Sequence, residues 1–263
     1  VASENSPFPR RRTMCHTARV LVSVLVATAL LTGCPADNSS SSSATEPQIL
    51  LAPAPPSFPG ANAFVAEIDN PYLGYARGRV FTYEALTDEG VETIVITVTN
   101  ESKDIMGVST TVVHDQAFLN GELVEDTFDW FAQDQDGNVW YFGEDTVEFE
   151  NGEPVSTEGS WEAGVDGALP GIIMLANPIA GMKYRQEFAV GVAEDMAQVK
   201  SLKVEVELLL GEFENCLETK EWTLLSPGGS ERKVYAAGTG LVLELSTNGN
   251  GNQKRTELIS IED

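Results

Sequence analysis

Histidine and cysteine are scarce in this chain, and basic residues are few. Of 263 residues, two are His, three are Cys and 16 are Lys or Arg, against 40 Asp or Glu, for a formal charge of −24. Each shortage excludes something. Beyond the first 34 residues the only histidine is His114, so a zinc site would have to combine it with Cys216 and carboxylates distant in sequence. A Ser-His-Asp triad would also have to use His114, and no Gly-x-Ser-x-Gly elbow accompanies it. No glycine-rich phosphate loop precedes a helix. The charge has the wrong sign for nucleic acid or anionic lipid headgroups, because binding phosphate needs a basic surface.

What is present begins with an address. Arg10, Arg11, Arg12 and Arg19 precede "VLVSVLVATALL", an uncharged run from Val20 to Leu31. That length suits the core of a secretory signal, about 7–15 residues. It is short for a membrane span, which needs about 20. The run ends in Leu31-Thr32-Gly33-Cys34, which resembles the lipobox of bacterial lipoproteins. The resemblance implies cleavage before Cys34 and a diacylglycerol on its thiol. The alternative is an ordinary signal peptide with a chance cysteine. Pro35 stands where an aspartate would resemble an inner-membrane retention signal, so the expected address is the outer membrane or cell surface.

The expected organisation is a signal over 1–33, a lipidated Cys34 with a Ser/Pro-rich tether over 34–60, and one acidic β-rich domain over 61–263. The tether cannot bury enough apolar surface to offset its ordering entropy. As flexible chain it would span roughly 25–30 Å. Without residues 1–34 the balance is 12 basic against 39 acidic residues, or −27. Cys216 is then the one thiol left for the domain, which excludes an internal disulfide and reads as an inert buried residue.

From Val80 onward, β-branched and aromatic runs alternate with glycine-bearing turns. Gly90, Gly107, Gly121, Gly137 and Gly152 are spaced 17, 14, 16 and 15 residues apart. Asn-Gly and Asp-Gly are strong hairpin dipeptides because both positions accept positive φ. The spacing predicts a six-stranded antiparallel meander. Beyond it, residues 162–182 read as a long Gly/Pro-broken connection with an apolar centre, Ile172 to Leu175, serving as a plug or a lid. "AEDMAQV" (193–199) reads as a short helix, and strands then resume to the end. The expected fold class is all-β, with about eleven strands in an antiparallel up-and-down meander that forms a strongly curved sheet or open barrel. A β-sandwich is the alternative.

"DWFAQDQDGNVWYFGED" (129–145) is the densest cluster of acids and aromatic residues. An EF-hand loop starting at Asp134 would need glycine at its sixth position, where Val139 stands. "DQDG" therefore reads as a hairpin turn. A looser Ca²⁺ site built from Asp134, Asp136 and Asn138 is the sharper alternative. The aromatic residues read as core and cross-strand pairs. His114 reads as a strand residue beside Asp115. Carboxylate pairs such as Glu144/Asp145 and Glu194/Asp195 carry little information in so acidic a chain, and no catalytic residue is assigned.

Four stretches, "FVAEIDNPYLGYARGRVFTYE", "DGNVWYFGED", "GSWEAGVDGALPGIIMLANP" and "YAAGTGLVLEL", resemble a group of predicted exported bacterial proteins without assigned activity. The likeness covers about residues 64–245. That group has a "PLxPG" turn after Asn-Pro-Tyr, where this chain reads "GYARG" from Gly74 to Gly78. The resemblance implies an intact domain and transfers no residue role. The functional expectation is a lipid-anchored envelope protein acting as a binding or structural module, with weak Ca²⁺ binding. The rivals are a carboxylate-dependent hydrolase acting on sugars and a carrier of an apolar ligand.

Overall fold

The computed structural model describes residues 52–226, 228–247, 251 and 253–263; the signal and Cys34 lie outside them. Apart from one 3-10 turn at Ala61–Ala63, all its regular structure is β. Six strands form the expected meander: β1 (Val80–Thr87), β2 (Gly90–Ile105), β3 (Val108–Leu119), β4 (Glu122–Gln133), β5 (Val139–Glu150) and β6 (Glu153–Ser156). The hairpin glycines all have positive φ. At Asn120-Gly121 and Asn151-Gly152 both residues do, with φ of 52° and 86°, and 53° and 77°. Asparagine tolerates this region better than other residues with a side chain, which is why these dipeptides reverse the chain so tightly.

The second half adds β7 (Trp161–Glu162), β8 (Leu169–Met174), β9 (Lys183–Arg185), β10 (Glu187–Phe188), β11 (Asp195–Leu208), β12 (Gly211–Thr223), β13 (Ser230–Ala236), β14 (Gly240–Thr247) and β15 (Gln253–Glu262). Two expectations change here. Ile172 to Met174 belong to a wall strand, β8, paired with β5, and not to a loop that plugs or covers the sheet. The "AEDMAQV" stretch contains the start of β11 and no helix, because Met196 and Ala197 pair on both sides, with β9 and with β12.

All strands join one antiparallel sheet, in the order β10-β8-β5-β4-β3-β2-β1-β15-β14-β13-β12-β11-β9, with β6 and β7 on β5. The two ends of that path, β10 and β9, are neighbours in sequence separated by Gln186 alone. A single extended segment, 183–188, thus bridges β11 to β8 and turns the sheet into a nearly closed barrel. Closure hides what would otherwise be exposed edges. It demands close backbone approach: a Cβ on Gly171 would lie 2.2 Å from the Gln186 carbonyl oxygen.

Register decides which residues face inward. Cross-strand partners share a face, so Phe81, Ile96 and Asp115 line one side, as do Tyr83, Ile94 and Ala117. Phe131 and Tyr141 continue that inner face, stacked with ring centroids 4.8 Å apart. Trp140 and Phe142 point the other way, beneath Phe58 and Phe64 of the N-terminal segment. Phe58 was expected in the tether. It packs on the core instead, and the Arg185 Nε donates to the Pro53 carbonyl at 2.7 Å, so residues 53–60 dock on the wall.

Candidate functional site

The inner face is not purely apolar. On β4 the inward positions are Glu125, Thr127, Asp129 and Phe131, and on β5 they include Tyr141, Glu144 and Thr146. Asp129 and Glu144 are cross-strand partners, 1% and 3% exposed. The Tyr141 hydroxyl donates to Asp129 Oδ1 at 2.6 Å. The Thr127 hydroxyl lies 3.1 Å from Glu125 Oε1 and 2.6 Å from Thr146 Oγ1, a cluster in which each hydroxyl gives its one proton to a neighbour. Asp115, 1% exposed, has no hydrogen-bond partner on either carboxylate oxygen.

The opposite wall carries charge of both signs. Lys233 Nζ lies 2.9 Å from Glu221 and 3.2 Å from Glu231. Thr219 and Tyr235 donate to Glu221 at 2.7 and 3.2 Å. Lys254 pairs with Glu92 at 2.8 Å. Burial opposes the Lys233 charge, yet the surrounding carboxylates, Glu221 first, outweigh it and hold the ammonium above its ordinary range.

An ionised carboxylate away from water is costly, and a buried acid answers by keeping its proton. Burial pushes Asp129 up to about 7, against the hydrogen bond from Tyr141. Burial likewise raises Glu125, Asp195 and Glu244, each to about 8. Asp115, Glu144 and Glu187 are raised well above the carboxylate range by burial first and by nearby acids second, Asp129 beside Asp115 and Glu144, and Asp195 beside Glu187. The interior therefore holds carboxylic acids that stay protonated around neutrality, able to donate as well as accept.

The residues singled out in the sequence have other duties. Asp134 is buried, and its carboxylate accepts from Trp140 Nε1 at 2.7 Å, Asn138 Nδ2 at 3.0 Å and the Asn138 amide at 2.9 Å. Asn138 Oδ1 accepts from the Ala176 amide at 2.9 Å, while Asp136 is exposed. Beside them, Gln133 Oε1 accepts from the amides of Asp69 and Asn70, at 2.9 and 2.8 Å. Asn70 Nδ2 donates to the carbonyls of Gly137 and Leu175, at 2.9 and 3.1 Å. The "QDQDGN" tip is thus a clasp that fastens the N-terminal segment and the chain after β8 to one end of the barrel. Among the described residues no group of three or more His, Cys, Asp or Glu is placed to hold a metal ion. His114 pairs with Asp126 at 2.6 Å and stacks on Phe128 with centroids 4.3 Å apart, a wall residue. Cys216 is buried, which raises its thiol.

The inner acids were missed in sequence because each has a sequence neighbour that looks the same. Strand alternation separates them: Glu144 turns inward, while Asp145 is exposed. On β4 a usable signal was the parity that Glu125 and Asp129 share with Phe131; on β5 the register shift between Tyr141 and Glu144 breaks the alternation, so Glu144 faces inward with Tyr141 despite its opposite parity.

No protein-family model matches the chain, and no curated protein matches it. Two solved structures align with it. One is a predicted exported protein with a YmcC-like fold from Bacteroides fragilis, 16% identical over 73% of this chain and 99% of that one, with a TM-score of 0.43. The other is a predicted lipoprotein from Parabacteroides distasonis, 12% identical over 75% of this chain and 100% of that one, with a TM-score of 0.35.

Proposed function

We propose that this chain is a lipid-anchored, non-catalytic module of a bacterial cell envelope, held through Cys34 and facing the periplasm or the exterior. The observation that carries this reading is the ordered signal: basic start, apolar core, small residues and Cys34. Pro35 favours the outer membrane or cell surface. The docking of residues 53–60 supports an attachment that sets the barrel close to its anchor, because it shortens the free tether. The enclosed, mutually engaged acids support a binding or structural role over turnover. Mass spectrometry of the mature N-terminus tests the anchor. A diacylated Cys34 as first residue is expected; cleavage elsewhere, or an unmodified Cys34, refutes the reading.

A second reading, a carboxylate-dependent hydrolase acting on sugars, is favoured by the cross-strand pair Asp129 and Glu144: Glu144, held well above the carboxylate range, would keep its proton as general acid, and Asp129, raised to about 7, would serve in its ionised form as base or nucleophile. Glycoside turnover by the purified protein, lost in Glu144→Gln, would establish it. A carrier of an apolar ligand is disfavoured, since hydrocarbon in the lumen would lie against Asp115, Glu125 and Asp129. Weak Ca²⁺ binding at the "DQDG" tip rests on the acidic charge balance, with Asp136 as its solvent-facing ligand.

A further inference from the structure

The barrel is closed by one segment, and that segment is where buried polar groups without partners gather. Among the described residues, Arg185 Nη1, Gln186 Nε2 and Glu187 Oε2 lack a hydrogen bond, on three consecutive residues that are each at most 7% exposed. Glu144 Oε1, on β5, also lacks one. Arg185 Nη1 comes within 3.8 Å of Glu194, too far for a hydrogen bond. The ladders at this seam are short. Lys183, Tyr184 and Arg185 pair with Gln198, Ala197 and Met196 on β11, and Glu187 and Phe188 pair with Pro170 and Leu169 on β8. In β1 to β3, by contrast, the strands are paired over most of their length.

Acids face the seam from several strands. Glu187 on β10 feels Asp195 on β11, Glu144 on β5 and Asp129 on β4, with Lys233 on β13 as its cation. Glu144 feels Asp129 and Glu125 on β4 and Asp195 on β11. Asp195 feels Glu231, Lys233 and Glu221, and is bonded by Thr223. Lys233 is already held by Glu221 and Glu231. Close-set carboxyl groups with so little counter-charge tolerate one another only while they keep protons.

We propose that this seam is a proton-held latch: with Glu144 and Glu187 protonated, segment 183–188 bridges β8 and β11, and when they ionise it parts from β8 and opens the barrel wall. The protons pass to water. The sign follows from linkage. Both acids hold their protons more tightly in the closed barrel than in solvent, so closure is fully favoured below the ordinary carboxylate range and weakens as pH rises toward the raised values. Loss of the two residue pairs between β10 and β8 is local, so the opening leaves the remaining wall intact.

Hydrogen exchange of the full chain at about pH 5 and about pH 8, corrected for the intrinsic pH dependence of exchange, reads the latch directly. Peptides over 169–174 and 186–194 are expected to exchange at least about tenfold faster at the higher pH, while the β2–β3 hairpin (90–119) does not change. Glu187→Gln keeps the shape and cannot ionise, so it should hold the seam at its low-pH rate throughout. Glu153→Gln, on an exposed position, should leave the response intact and so excludes a general effect of net charge. A seam and hairpin that respond alike, or a Glu187→Gln chain with the full pH response, would overturn the proposal. Should Glu187→Gln not fold, Glu144→Gln carries the same expectation and the same refutation.

Discussion

Tyr141 and Asp129 meet inside the barrel, the phenol donating to the carboxylate Oδ1 at 2.6 Å across neighbouring strands. This bond opposes the effect of burial, which raises Asp129 from its usual 3.8 to about 7. A group raised in the fold contributes stability that is fully present below its ordinary value and lost as pH rises through the folded value. The urea midpoint of the protein should therefore fall between about pH 4 and about pH 7 on account of Asp129. Tyr141→Phe removes the donor. It should cost about 1–3 kcal/mol, more at pH values where Asp129 is ionised than where it is protonated. Urea titrations of both proteins across this range check it; an equal loss at both ends would contradict the assignment.

Gly171 sits where β8 meets the closing segment. A methyl group there would meet the backbone of Gln186 and Glu187, at 2.2 and 2.8 Å from atoms that cannot rotate away. Gly171→Ala should thus cost at least about 2–3 kcal/mol, as overpacking against backbone does. A denaturant midpoint equal to that of the parent would show that the barrel closes differently.

Lys233 is the buried cation of the far wall. Removing one partner of a buried ion pair strands the other charges, so Lys233→Met should cost about 3–5 kcal/mol near neutrality. Because its folded value lies above the ordinary 10.5, its contribution is present below that pH and disappears only as pH rises beyond it. Adding Glu221→Gln to Lys233→Met should restore part of the loss. A double-mutant cycle in urea measures the coupling, and strictly additive losses would deny that the two side chains act together.

The hairpin tip separates two roles. Asp134→Asn turns an acceptor into a donor facing Trp140 Nε1 or the Asn138 amide, and should lower stability by about 1–3 kcal/mol whether or not Ca²⁺ is present. Asp136→Asn, on the exposed side of the turn, should leave the Ca²⁺-free melt unchanged and abolish any Ca²⁺-specific rise in Tm. Melts at millimolar Ca²⁺, about 10⁻³ M as for weak extracellular sites, are compared with Mg²⁺ at matched ionic strength. Equal shifts with both ions would reduce the effect to charge screening.

The amino-acid sequence by itself determined the local elements: which dipeptides reverse the chain, where the strands of the meander run, and that the fold is all-β. These are properties of a few adjacent residues, since Asn-Gly reverses the chain and alternating β-branched residues extend it without help from elsewhere. It did not determine which face of each strand lies inside. In "ELVEDTFDW" the side bearing Val124, Phe128 and Trp130 looks like the core by polarity. Yet the inward side carries Glu125, Thr127 and Asp129, because the register joins them to Phe131 and Tyr141. Only the tertiary structure decided the closure of the barrel. Residues 183–188 pair with residues 11 to 19 positions away, from Arg185 with Met196 to Phe188 with Leu169, and no local pattern marks them. Closure then brought together Glu144, Glu187 and Asp195. Their unusual proton affinity is a consequence of shared burial, and burial is a property of the assembled wall and not of any one stretch of chain.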